Sequence, residues 1–257
     1  MNQLSVKNLF GMDIVSSTLD DVVKTCVSEI NNSKASAKVI VTPNLDHVVK
    51  LHKNLSNRLA YLKADLFLPD GFPLVWASKL CGNPLKSRIC GADLLPEMLK
   101  VLNLQQQKKK IYIIGGFPGD ESLIISKLAS IYPSVDFFIY SPSAKFTPSG
   151  SEAEEIVVNI NLIEPDMVCV CLGFPKQEMW AIANRERLKT NLIVCVGAAL
   201  DFILGKVKRA PHVWQKWNLE WLWRLFSDPQ RLAKRYLVDS WMFIWIMILE
   251  IKVRKNK

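Results

Sequence analysis

Short apolar runs alternate along this chain with longer stretches in which apolar positions recur every third or fourth residue. The first pattern predicts buried strands and the second amphipathic helices. Strands are expected over 38–42, 66–69, 111–114, 135–140, 167–172 and 192–196. Helices are expected over 44–63, 72–80, 92–104, 118–131, 151–163 and 175–188. Residues 4–16, with Gly11, read as a hairpin or edge. Strand–helix alternation of this kind implies a mostly parallel sheet with covered faces. The expected fold class is α/β: a Rossmann-like, mostly parallel sheet with helices on both faces, plus a C-terminal helical appendage. The boundary is placed between an α/β domain over 1–210 and the appendage over 211–257.

In the appendage, 213–226 and 231–253 read as helices separated by Asp228-Pro229. Residues 241–249 are uninterrupted and apolar, but a membrane span needs ~20 such residues. A helix lying in a membrane interface fits this run, and so does burial against another subunit.

Charge sharpens the division. The chain has 257 residues and a formal net charge of +9. Residues 205–257 hold twelve Lys/Arg against four Asp/Glu and six of the eight tryptophans. A nearly neutral body therefore carries a basic, aromatic tail. That composition suits an anionic partner with an apolar component, such as a membrane surface or a lipid-linked ligand. Nucleic acid is the rival partner, and a solvated basic face over a Trp core is the plain structural alternative. The hydrophobic fraction of 49% is ordinary for a globular chain. Residues 1–10 lack a basic start followed by a long apolar core, so no secretory signal is expected. The six cysteines form no Cys-x-x-Cys pair and read as reduced core residues. His47, His52 and His212 show no zinc-type spacing.

Polar residues gather where the strands end: Thr42, Asn44 and Asp46, then Asp70, Gly115-Gly116, Lys176 and Gln177, and Asp201. A parallel sheet would bring these ends along one edge, where a nucleotide or phosphate ligand binds. The segment 168–180, VCVCLGFPKQEMW, is the most informative. Its apolar run breaks at Gly173 and Pro175, then delivers Lys176, Gln177 and Glu178 into a helix start. Glycine lets the backbone approach a ligand closely, and a helix N-terminus favours anions. An ordinary strand-to-helix turn accounts for the same residues. Asp70, pinned between Pro69 and Gly71, could serve as a general base or as a helix cap. Arg88 could meet the departing charge of a diphosphate or simply be solvated. No P-loop, nucleophile elbow or Asp-x-Asp pair occurs.

Taken together, Thr42-Pro43-Asn44, Ala64-Asp65, Leu68-Pro69-Asp70-Gly71, Arg88 with Gly91, Ile113-Ile114-Gly115-Gly116, Leu172-Gly173-Phe174-Pro175-Lys176-Gln177-Glu178, Val196-Gly197 with Asp201, and Trp221-Leu222-Trp223-Arg224 form a recognisable set. The chain resembles the WecG/TagA/CpsF family of glycosyltransferases over roughly residues 8–237. The resemblance implies inverting, metal-independent transfer without a cofactor. The donor would be a UDP-sugar and the acceptor a sugar on a polyprenyl diphosphate, in bacterial cell-surface polysaccharide or teichoic acid synthesis. The protein would be cytoplasmic and peripheral on the inner membrane face, with no nucleic-acid partner; pairing with a second copy stays open. By resemblance Asp70 is the general base, Thr42 positions a substrate, Gln177 contacts sugar or diphosphate, and Arg88 meets the diphosphate. Asn44, Gly115, Gly116, Gly173, Pro175, Lys176, Gly197 and Asp201 would shape the donor site. Arg224 and Arg231, which would also bind the UDP-sugar, match the family's basic positions in an appendage that docks on the membrane and closes over the site. Pro43, Cys90 and Gly197-Ala198-Ala199-Leu200 depart from the family pattern. The donor stays open among N-acetylmannosamine, its uronic acid, glucuronic acid and glucose types, with N-acetylmannosamine preferred. A non-catalytic nucleotide-binding or scaffold protein of the same fold is the alternative.

Overall fold

The computed structural model describes residues 4–32, 36–207, 210–211, 214, 222–223 and 239–255. Eight strands form one sheet: β1 (Val6–Leu9), β2 (Met12–Val15), β3 (Lys38–Val41), β4 (Leu66–Phe67), β5 (Lys109–Ile114), β6 (Val135–Tyr140), β7 (Met167–Val170) and β8 (Leu192–Cys195). Their spatial order is β1-β2-β4-β3-β8-β7-β5-β6. Among the described residues only the β1–β2 hairpin pairs antiparallel; the remaining pairings are parallel. The expected α/β architecture is what the chain adopts.

Among the described residues the helices are α1 (Leu19–Asn31), α2 (Leu45–Lys53), α3 (Leu55–Tyr61), α4 (Phe72–Leu80), α5 (Gly91–Leu104), α6 (Glu121–Ile131), α7 (Ser151–Ile163), α8 (Lys176–Asn184), α9 (Ala199–Ile203) and α10 (Ser240–Lys255). Connections that cross the sheet from β1 towards β6 put α1, α5 and α6 in one apolar layer. Those that step back put α2, α3, α7 and α8 in the other. That segregation is what crossovers of a single hand produce. Strand residues divide with period two: Val39 and Val41 face one layer and Ile40 the other, as do Val168 and Val170 against Cys169.

Two local differences from the sequence pattern have clear causes. The helix expected over 44–63 is broken at Asn54, whose extended backbone ends α2 while its side chain accepts the Asn57 N–H to start α3. Asparagine competes in this way with the helix ladder. Helix α1 lay outside the expected elements, yet Thr18 and Asp21 form a reciprocal capping box at its start. The apolar run near the end of the chain belongs to α10, which packs on α2. Phe243, Ile246 and Met247 join the sheet's own core, whereas Trp241, Trp245 and Ile248 are exposed. The run is therefore divided between this chain's interior and its surface.

Candidate functional site

Parallel pairing from β2 to β6 brings the carboxyl ends of these strands to one edge of the sheet. There the chain leaves β3 into α2 on one face, β8 into α9 on the other, β7 into α8 on the first, and β5 into α6 on the second. Adjacent strands that send the chain to opposite faces leave a crevice between their loops.

On one side stand the loops after β3 and β4. Thr42 is buried, and its Oγ1 donates to the Cys195 carbonyl at 3.1 Å, tying β3 to the end of β8. Asn44 caps α2, its side-chain oxygen accepting the His47 N–H. The Asp70 N–H donates to the Pro43 carbonyl at 2.8 Å, which locks the two loops together. The next layer follows through the Ile89 N–H, which donates to the Pro69 carbonyl at 2.8 Å. Arg88, half-buried, pairs with Asp93 at 3.1 Å. Burial, and then the Asp70 carboxylate, push the Cys90 thiol well above its ordinary range. The Asp70 carboxylate and the Arg88 guanidinium thus flank the same short segment that opens α5.

On the other side lie the loops after β5, β7 and β8. A Cβ on Gly91 would sit 2.6 Å from the Val196 carbonyl oxygen, so only glycine lets α5 start against the end of β8. A Cβ on Gly115 would lie 2.8 Å from that of Cys171, which lets the β5 and β7 ends close on each other. Gly116 follows in the same turn, and the Ser141 hydroxyl donates to the Gly115 carbonyl at 3.0 Å. Gly173 and Lys176 are exposed, flanking Phe174 and cis Pro175 at the head of α8. Asp201, in the first turn of α9, lies close enough to Cys171 to raise its thiol after burial has done most of that work.

Beneath the α8 start, Gln177 and Glu178 join His47 and Tyr61 in a polar cluster, a meeting that the sequence did not single out. Gln177 is buried; its Oε1 accepts the Gly197 N–H at 3.1 Å and its Nε2 donates to Glu178 Oε1 at 2.7 Å. Glu178 is fully buried and its Oε2 has no hydrogen-bond partner. Burial pushes its carboxyl up to about 7, against the opposing pull of the Gln177 amide, its own backbone N–H and Lys50. His47 Nδ1 lies 4.0 Å from Glu178 Oε1 and 3.1 Å from the Tyr61 hydroxyl, with its ring stacked on Phe174. His47 lies 131 positions before Glu178 in sequence, so no local pattern announces their meeting.

Thr42, Asn44, Asp70, Arg88, Gly115, Gly116, Gly173, Pro175, Lys176, Gln177, Gly197 and Asp201 therefore all lie on the loops or helix starts at this one edge. Arg224 and Arg231, with most of the segment 212–238, lie outside the described residues. Among the described residues no three His, Cys, Asp or Glu side chains are grouped to hold a metal ion.

The sequence model of the Glycosyl transferase WecG/TagA/CpsF family matches residues 7–257. Similar curated proteins include the N-acetylglucosaminyldiphosphoundecaprenol N-acetyl-beta-D-mannosaminyltransferases of Staphylococcus aureus strains MW2 and NCTC 8325. Each is 28% identical over 255 residues, covering 97% of this chain and 95% of the relative.

Proposed function

Since the chain belongs to the WecG/TagA/CpsF family and is a glycosyltransferase, we propose that it moves N-acetylmannosamine from its UDP derivative to N-acetylglucosamine on a polyprenyl diphosphate. The observation that carries this reading is the convergence of Asp70, Arg88 and the glycine turns on one sheet edge, in a chain whose S. aureus relatives are named for that acceptor and sugar.

The Asp70 carboxylate takes the proton of the acceptor hydroxyl while that oxygen attacks the anomeric carbon from the face opposite UDP. The anomeric C–O bond to UDP breaks, its electron pair leaves with the diphosphate, and the anomeric configuration inverts. Arg88 offers a guanidinium to the charge growing on the diphosphate. Gly115-Gly116, Gly173 and Gly197 leave room for the nucleotide, with Asn44, Pro175, Lys176 and Asp201 around it. Thr42 and Gln177 keep the walls of the crevice in register. The absence of an Asp-x-Asp pair supports transfer that needs no metal. The lipid acceptor is met at the inner face of a bacterial membrane by the basic, Trp-rich appendage over 211–257. Arg224 and Arg231 of that appendage are assigned to binding the UDP-sugar.

The test is UDP release from a panel of UDP-sugars with a synthetic polyprenyl-diphosphate N-acetylglucosamine acceptor, in a chelator. Acceptor-dependent release from the N-acetylmannosamine donor is expected, and Asp70→Asn should lower it roughly 10²–10⁴-fold. Release from another donor would correct the sugar, and a strict metal requirement would remove that part of the reading. UDP binding without turnover from any donor would leave a non-catalytic nucleotide-binding protein.

A further inference from the structure

We propose that Glu178 is a positioning residue that, through the Gln177 amide, holds the Gly197 turn in the donor crevice and transmits its own charge state to that turn. The inference rests on the assignment of the crevice to the donor nucleotide, and it concerns a carboxyl that the transfer step above does not use.

The hydrogen-bonding chemistry fixes the direction. A backbone N–H can only donate, and an ionised carboxylate can only accept. Gln177 lies between one of each: the Gly197 N–H at 3.1 Å and Glu178 Oε1 at 2.7 Å. Only one orientation of the amide satisfies both, with oxygen towards Gly197 and nitrogen towards Glu178. The turn so held is also tied through the neighbouring Cys195 carbonyl to the Thr42 hydroxyl, and α5 starts against Val196. A change in the Gln177 amide is therefore felt where three loops meet.

Glu178 is also built to change state. It is fully buried, and its second oxygen has no partner. Ionised, it would make the bond from Gln177 Nε2 charge-assisted and stronger; protonated, it would leave an ordinary one. Burial places that exchange at about pH 7. The charged or titratable groups around it include His47 and Lys50 from α2, Tyr61 from α3 and Cys195 from β8, with Asp70 acting on the same Tyr61. Burial raises Tyr61 and Cys195 well above their ordinary values, so both stay neutral here. His47 is a neighbour of a type that titrates near neutrality, and it must be separated by mutation.

The experiment follows the backbone amide of Gly197 by NMR in full-length protein labelled at its eleven glycines, across the neutral range and without any ligand. In the wild type the Gly197 signal is expected to shift with a midpoint near 7. Glu178→Gln, close to isosteric and unable to ionise, should flatten that titration, and His47→Gln should keep it. In the transfer assay Glu178→Leu, which removes the acceptor, should raise the donor KM about tenfold with a smaller change in kcat. Glu178→Gln should match the wild type below pH 7 and fall behind above it. A Gly197 signal that ignores pH in the wild type, or that still titrates in Glu178→Gln, overturns the proposal, as does a donor KM unmoved in Glu178→Leu. Absence of transfer with every donor would instead refute the functional reading, and the ligand-free Gly197 measurement would still decide the role of Glu178.

Discussion

Glu178 has a thermodynamic consequence that is separate from any role in transfer. Its folded value of about 7 lies above the ordinary glutamate value of 4.5. Between those limits the folded chain holds a proton that the unfolded chain has lost. Stability from this group is therefore complete below about 4.5 and declines as pH rises through about 7. Glu178→Gln should lack that decline, and the gap between the denaturation midpoints of variant and wild type should widen in the variant's favour from pH 5 to 8. A constant gap would place the titration elsewhere. Packing makes an equally definite demand at Gly91. Its missing Cβ faces backbone at 2.6 Å, not a side chain that can move aside. Gly91→Ala should destabilise by roughly 1–3 kcal/mol, read by urea unfolding. At this scale the sequence was legible only where chain neighbours reveal a residue's setting. Asp70 stands between Pro69 and Gly71, and Gln177 follows a Gly-Phe-Pro break. The buried meeting of His47, Tyr61 and Glu178 depends on α2, α3 and α8 packing together on one face of the sheet, which no local spacing encodes.

On the proposed reading, strand β4 separates structural from chemical work. Asp65 precedes it and Asp70 follows it. At the first end, Asp65 accepts the Val39 N–H at 2.9 Å and pairs with Lys38 and Arg185. Asp166 repeats the device before β7, accepting the Lys110 N–H at 2.8 Å. Asp65→Asn should therefore lower stability by about 1–3 kcal/mol while leaving transfer per folded molecule near wild type. Asp70→Asn should do the reverse. Measuring unfolding and UDP release on both variants checks the pair, and loss of turnover in folded Asp65→Asn would contradict the division. Element types were largely readable: 72–80, 135–140 and 151–163 agree with their expected bounds. Helix α1 also carries a helical stripe, with Val22, Val23, Cys26, Val27 and Ile30 all buried. Its cap pairs Thr18 with Asp21 in place of the more usual Glu or Gln, which weakened the start signal. Thr18→Ala should cost about 1 kcal/mol, detectable in the same unfolding assay.

For the molecule as a whole, alternation of strands and helices made the α/β class readable, but not the strand order. Placing β8 between β3 and β7 depends on pairings such as Ile40 with Val194, which are long-range contacts. The same limit applied to the apolar run of α10, whose burial against α2 could not be told from burial against lipid or a second subunit. No helix among the described residues is long and apolar enough to cross a membrane. The exposed face of α10 carries Trp241, Trp245 and Ile248, and its last turn carries Lys252, Arg254 and Lys255. If this face meets lipid, Trp241→Ser with Trp245→Ser should reduce co-sedimentation with anionic vesicles and leave the melting temperature nearly unchanged. Equal sedimentation by the double variant would move the contact elsewhere. The inner face of the same helix has a different consequence. Phe243 meets Phe10 edge-on, and a ribosome makes that phenylalanine long after it has made β1 and α2. During synthesis the apolar side of α2 must wait without its cover, a natural stretch for a chaperone to hold. Any shortening of the gene before α10 would make that waiting state permanent.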